Sequence, residues 1–118
     1  MGANMQKVRA GVLLAVGVLL LSGCGGSTPE RLTFEIGGSA TSASITWITD
    51  NFGTSQATDA SVPWTRTETY TSGTLGVNIS AQNAGSGTIT CKITDSAGKV
   101  LAQNQSSGDY AIVSCSVG

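Results

Sequence analysis

Residues 32–118 predict an all-β fold, an antiparallel immunoglobulin-like β-sandwich of about seven to eight strands with one disulfide. Three observations carry this. Apolar residues recur at every second position in short rows, the pattern of half-buried strands. Clusters of Gly, Ser, Asn and Asp separate the rows every ten residues or so, supplying positive φ or side chains that bond their own backbone. Two cysteines, Cys91 and Cys115, each alternate with apolar neighbours, so both point toward one core.

The N-terminus is organised differently. Lys7 and Arg9 precede an apolar run of 12 residues, Ala10 to Leu21, and no acidic residue occurs before Glu30. That order is the layout of an export signal, and the run is shorter than the roughly 18 to 20 residues needed to span a bilayer as a helix. The junction Leu21-Ser22-Gly23-Cys24 resembles the bacterial lipobox, in which the cysteine receives a diacylglyceryl group and the chain is cut before it. The expected division is a lipoprotein signal peptide over 1–23, a lipidated N-terminus and flexible tether over 24–31, and a β-sandwich domain over 32–118. Two other layouts share the same residues: a plain signal peptide cut near Ser22, and a short uncleaved anchor. Two acyl chains on Cys24 give stable attachment, since each buried methylene contributes roughly 0.8 kcal/mol. The expected location is the extracytoplasmic face of the cell membrane.

Each strand row follows in order. Leu32, Phe34 and Ile36 form the first, and Ala43, Ile45 and Trp47 the second. Thr65-Arg66-Thr67-Glu68-Thr69-Tyr70-Thr71 places threonine where a strand face meets solvent. Leu75, Val77, Ile79 and Ala81 form another row, followed by Ile89, Cys91 and Ile93, then by Ala111, Val113, Cys115 and Val117. Asp50-Asn51-Phe52-Gly53, Asn83-Ala84-Gly85-Ser86-Gly87 and Asp95-Ser96-Ala97-Gly98 are among the turns. No segment after the tether keeps a 3.6-residue period, so almost no helix is expected.

With Cys24 assigned to lipid, Cys91 and Cys115 are an even pair in an exported domain, the setting in which cysteines pair. Closing their 25-residue loop contributes about 3.5 kcal/mol in the chain-entropy account. An antibody-type domain carries its tryptophan between the two cysteines, whereas Trp47 and Trp64 both precede Cys91. The likeness to immunoglobulins is therefore one of architecture.

Composition narrows the chemistry. Removing residues 1–23 leaves 95 residues, one domain, with four basic and seven acidic side chains. No basic stripe exists to hold phosphates, which argues against nucleic acid. The chain has no histidine, so Ser-His and Cys-His nucleophiles are excluded, and the scattered carboxylates form no visible pair. Asp50-Asn51-Phe52-Gly53 lacks the spacing of a calcium loop, and the cysteines lack a third ligand. Neither catalysis nor a metal or cofactor is expected. Asn78-Ile79-Ser80 and Asn104-Gln105-Ser106 match a glycosylation sequon, but Asn78 simply alternates outward between Val77 and Ile79.

The aromatic residues are better functional candidates. Trp47 shares a row with Ile45 and is assigned to the core. Pro63 cannot donate a ladder hydrogen bond, which places Trp64 at a strand start or edge, where an indole either closes the core or meets a partner. Tyr70 lies in the same row as Trp64. Pro63, Trp64 and Tyr70 are the candidate partner contacts.

Taken in order, Phe34-Glu35-Ile36-Gly37-Gly38, Ile45-Thr46-Trp47, Val62-Pro63-Trp64-Thr65, Ala81-Gln82-Asn83, Ile89-Thr90-Cys91-Lys92-Ile93, Gly98-Lys99-Val100 and the final Cys115 resemble the MmpS family of mycobacteria and related actinobacteria. The resemblance implies an extracytoplasmic β-sandwich that assists MmpL-type transporters of the RND superfamily, membrane pumps exporting lipids, glycolipids or siderophores. It also implies a disulfide at the two matching cysteines. The chain departs from the family pattern at its N-terminus, where a lipobox stands in place of a membrane-spanning helix. Two other functions remain open: a carrier for a lipid or small apolar ligand, which requires a cavity between the sheets, and a structural or adhesive surface lipoprotein.

Overall fold

The computed structural model describes residues 28–118. The signal peptide expected over 1–23, Cys24 and the first part of the 24–31 tether lie outside the described residues. Eight strands follow in chain order: β1 (Glu30–Gly38), β2 (Ser42–Ile48), β3 (Thr54–Ser61), β4 (Trp64–Tyr70), β5 (Asn78–Asn83), β6 (Thr88–Asp95), β7 (Val100–Ser107) and β8 (Ile112–Ser116). The helical content of the described residues is one 3-10 turn, Asp50–Phe52.

The strands form two four-stranded sheets, ordered β4-β1-β6-β7 and β3-β2-β5-β8, with every pairing antiparallel. Period two decides which side chains enter the space between them. Leu32, Phe34 and Ile36 of β1, Ala43, Ile45 and Trp47 of β2, Ile79 and Ala81 of β5, and Ile89, Cys91 and Ile93 of β6 are all buried. Each large aliphatic or aromatic side chain among them contributes about 1.5–3 kcal/mol by leaving water. Cys91 of β6 and Cys115 of β8 are bonded, with their Cα atoms 6.1 Å apart, so the disulfide ties one sheet to the other. Asn104 Nδ2 donates to the Ser114 carbonyl at 3.2 Å, which joins the edge strands β7 and β8 on the same side.

Two details depart from the sequence reading. The first strand begins at Glu30, two residues before the apolar row, because Glu30 and Arg31 still pair with Tyr70 and Thr69. Leu75 does not belong to the β5 row: it is 76% exposed, in the loop before the strand. Gly73 and Gly76 adopt φ of 96° and 87°, which turns the chain on either side of Leu75, and the buried row begins only at Val77.

Strands β3 and β7 lack a readable row because both are edge strands whose inner positions, Leu101 apart, are small or polar. Ser55, Ala57 and Ala60 of β3, and Leu101 and Ala102 of β7, are only half-buried. Both edges are also bulged. The β2–β3 register slips between Ala43 and Ile45 and the β6–β7 register between Ile93 and Thr94, which twists the open edges against pairing with another chain.

The antiparallel alternation sorts the connections to two ends. At one end the chain enters at residues 28–29, and the 49–53 turn, the 71–77 loop, the 96–99 turn and residues 117–118 gather around it. The 39–41, 62–63, 84–87 and 108–111 connections lie at the other end.

Candidate functional site

The predicted contact residues fall at the β4 edge. Pro63 is exposed and directly precedes the first residue of β4, as its missing N–H requires. Trp64 is half-buried and packs against the core; its ring lies 5.0 Å from that of buried Trp47 at a 54° tilt. Offset aromatic pairs of this kind add about 0.5–1.5 kcal/mol beyond area burial. Trp64 therefore closes the core with one face and meets solvent with the other.

Exposed Arg66 and half-buried Glu68 share the strand parity of Trp64 and Tyr70 and complete a polar seam. Trp47 Nε1 donates to Glu68 Oε2 at 2.9 Å, and Arg66 Nε donates to the same oxygen at 3.0 Å. The Arg66 guanidinium lies 5.5 Å from the centre of the Trp47 ring. The indole N–H of buried Trp47 is thereby satisfied by a carboxylate from the neighbouring sheet. Sequence patterning missed this seam because two charged residues on a threonine-rich strand read as a solvated face.

Tyr70 lies elsewhere. It is only 2% exposed, and its hydroxyl donates to the Ile48 carbonyl. Burial, followed by the nearby Glu68 and Asp50 carboxylates, raises its pKa above the ordinary tyrosine value. Its side chain spends its polar group on the fold, so of the three predicted contacts Pro63 and Trp64 are the ones that reach the surface at the β4 edge.

A second feature had no signal in the sequence beyond a turn. At the end where the chain enters, Ile48, Phe52, Tyr70, Leu75 and Val77 help line a hollow of about 490 Å³. Phe52 is 73% exposed and Leu75 76%. Asn51 and Phe52 both hold left-handed backbone, with φ of 58° and 60°. For a bulky residue this costs roughly 1–3 kcal/mol and persists only where neighbours impose it. Here Asp50 imposes it: its Oδ1 accepts from the backbone N–H of Thr71 at 2.9 Å and of Asn51 at 3.1 Å, and its Oδ2 accepts from the Thr71 hydroxyl at 2.8 Å. The turn is shut by Thr49 N–H on the Gly53 carbonyl at 2.7 Å. The Thr71 backbone and hydroxyl bonds, then the Asn51 bond, outweigh desolvation and hold the Asp50 carboxyl below its ordinary pKa of 3.8.

The hollow answers the requirement of a carrier only in part. It lies at one end of the sandwich, while the space between the sheets is filled by the buried rows. Among the described residues no group of three or more His, Cys, Asp or Glu is placed to hold a metal ion. No helix among them is long and apolar enough to cross a membrane.

Comparison with known proteins adds one finding: a family model described as Mycobacterium membrane protein matches residues 23–118. No curated protein matches the chain.

Proposed function

Because the chain belongs to the Mycobacterium membrane protein family, the MmpS type, and is thus a membrane-associated accessory protein of the mycobacterial cell envelope, we propose that it serves as a lipid-anchored extracytoplasmic adaptor for an MmpL-type exporter of lipids or siderophores. The observation that carries this reading is the family match itself, which runs through the whole sandwich. The lipobox-like Leu21-Ser22-Gly23-Cys24 supports the diacylglyceryl anchor on Cys24. The half-buried Trp64 beside exposed Pro63 supports the β4 edge as the surface that meets the pump, since interface anchors are enriched in tryptophan.

The test is affinity capture of the full chain from detergent-solubilised mycobacterial membranes, with the co-purifying proteins identified by mass spectrometry. An exporter of the RND superfamily is expected in the wild-type sample. Trp64→Ala is expected to weaken capture by about 2 kcal/mol or more, roughly 30-fold, and to impair export of the cargo. Because Trp64 also stacks on Trp47, the same change is expected to lower folding stability by about 1–3 kcal/mol. Trp64→Phe keeps most of that packing and separates the two effects. Absence of any exporter from the wild-type capture overturns the adaptor reading. A folded Trp64→Ala chain that captures and exports as wild type does removes Trp64 from it.

A further inference from the structure

The two most exposed large apolar side chains of the described residues, Leu75 and Phe52, come from different loops and line the same hollow. A methyl group placed on Gly76, the residue after Leu75, would lie 3.7 Å from the Phe52 ring. Neither exposure is incidental to a slack loop. Phe52 is held outward in left-handed backbone by the three hydrogen bonds to Asp50, and Leu75 is turned out between two glycines of positive φ. The loop Thr71–Val77 carries no charged residue, and the one carboxylate lining the hollow, Asp50, is bound to Thr71 and Asn51. A protein that fixes two bare apolar side chains at one end has a use for them.

The position of this end supplies the occupant. Glu30, the first residue of β1, pairs with Tyr70, which itself lines the hollow, so the chain enters the sandwich beside Phe52 and Leu75. Only five residues separate Glu30 from Cys24, and the six steps between the two reach at most about 20 Å when fully extended. A membrane-attached segment ending at Cys24 thus holds this end, and not the opposite one, within reach of the bilayer surface. An apolar tip of this kind seats in the boundary between headgroups and acyl chains, about 5–10 Å deep.

We propose that the Phe52–Leu75 end is a membrane-docking tip that inserts into the outer face of the bilayer to which the chain is attached, setting the sandwich upright with the Pro63–Trp64 region lifted away from the lipid. This rests on the membrane-anchored reading. It adds a second contact, fixing an orientation that attachment through Cys24 alone would leave open.

Tryptophan fluorescence in vesicles tests it. The processed full chain is reconstituted into phosphatidylethanolamine–phosphatidylglycerol vesicles, with or without lipids brominated on their acyl chains, and the vesicles are floated on a gradient. Phe52→Trp and Leu75→Trp report the proposed tip. Tyr110→Trp, at an exposed position of the opposite end, is the control. The wild-type signal from Trp47 and Trp64 is subtracted, and thermal melting confirms that each variant is folded. The added emission of Phe52→Trp and of Leu75→Trp is expected to fall at least twofold with brominated lipid, and that of Tyr110→Trp to stay unchanged. If the chain floats but neither tip variant is quenched more than the control, the docking tip is overturned while the anchor stands, and the hollow falls to a protein or a free lipid. If the chain fails to float, the anchored reading is overturned and this proposal with it.

Discussion

At the scale of single residues, one carboxylate decides the shape of the apolar end. Asp50 accepts three hydrogen bonds that favour its charged form, two from Thr71 and one from Asn51, and its pKa is depressed. The contribution of this clamp is fully present above the ordinary value of 3.8 and is lost as pH falls through the lower folded value. Asp50→Asn keeps an acceptor oxygen but has no charge to lose. Its melting temperature is therefore expected to lie below that of the wild type at neutral pH and to converge with it in acid. Calorimetric scans from neutral to about pH 2 check this, and parallel curves would show that Asp50 does not act through its charge.

At the scale of elements, the turn from β1 to β2 is fitted to its neighbour more closely than any apolar row reveals. Gly38 has φ of 102°, and a Cβ there would lie 2.3 Å from the carbonyl oxygen of Thr88. Gly73 has a similar φ of 96° but nothing within 4 Å of an added Cβ. Gly73→Ala is expected to cost about 1 kcal/mol, from backbone strain alone. Gly38→Ala is expected to cost about 2 kcal/mol more, because the strand end must move away from Thr88. Urea denaturation of the two variants side by side measures the difference, and equal losses would show that the Thr88 backbone yields freely.

At the scale of the whole molecule, the disulfide and the proposed anchor give the cysteines separate roles. The Cys91–Cys115 bond joins opposite sheets across a sequence separation of 24 residues. Replacing both by Ser is expected to lower stability by about 2–5 kcal/mol, the usual cost for a small exported domain. Equilibrium unfolding under oxidising conditions reads the loss. Cys24, in contrast, is expected to leave stability untouched and to govern attachment. Cys24→Ala should accumulate as an uncut precursor without acyl chains, and the mass of the mature N-terminus checks it; an unlipidated wild-type protein would end the anchor reading.

The sequence by itself determined the sandwich, since strict alternation of Leu32, Phe34 and Ile36, of Ala43, Ile45 and Trp47, and of Ile89, Cys91 and Ile93 admits only half-buried strands. It also determined the disulfide, because the two cysteines share the inward parity of their strands. The Pro63–Trp64 edge was legible as well, from the donor that proline lacks. Only the tertiary structure decided that Leu75 leaves its row, that Tyr70 turns inward to Ile48, and that Trp47 shares Glu68 with Arg66. Periodicity reports which face of a strand a residue occupies, but it carries no information about which loops meet at an end. Phe52 and Leu75 lie more than twenty residues apart in the chain, and they are brought to one end of the sandwich only because β2 and β4 both run toward the end at which β1 begins.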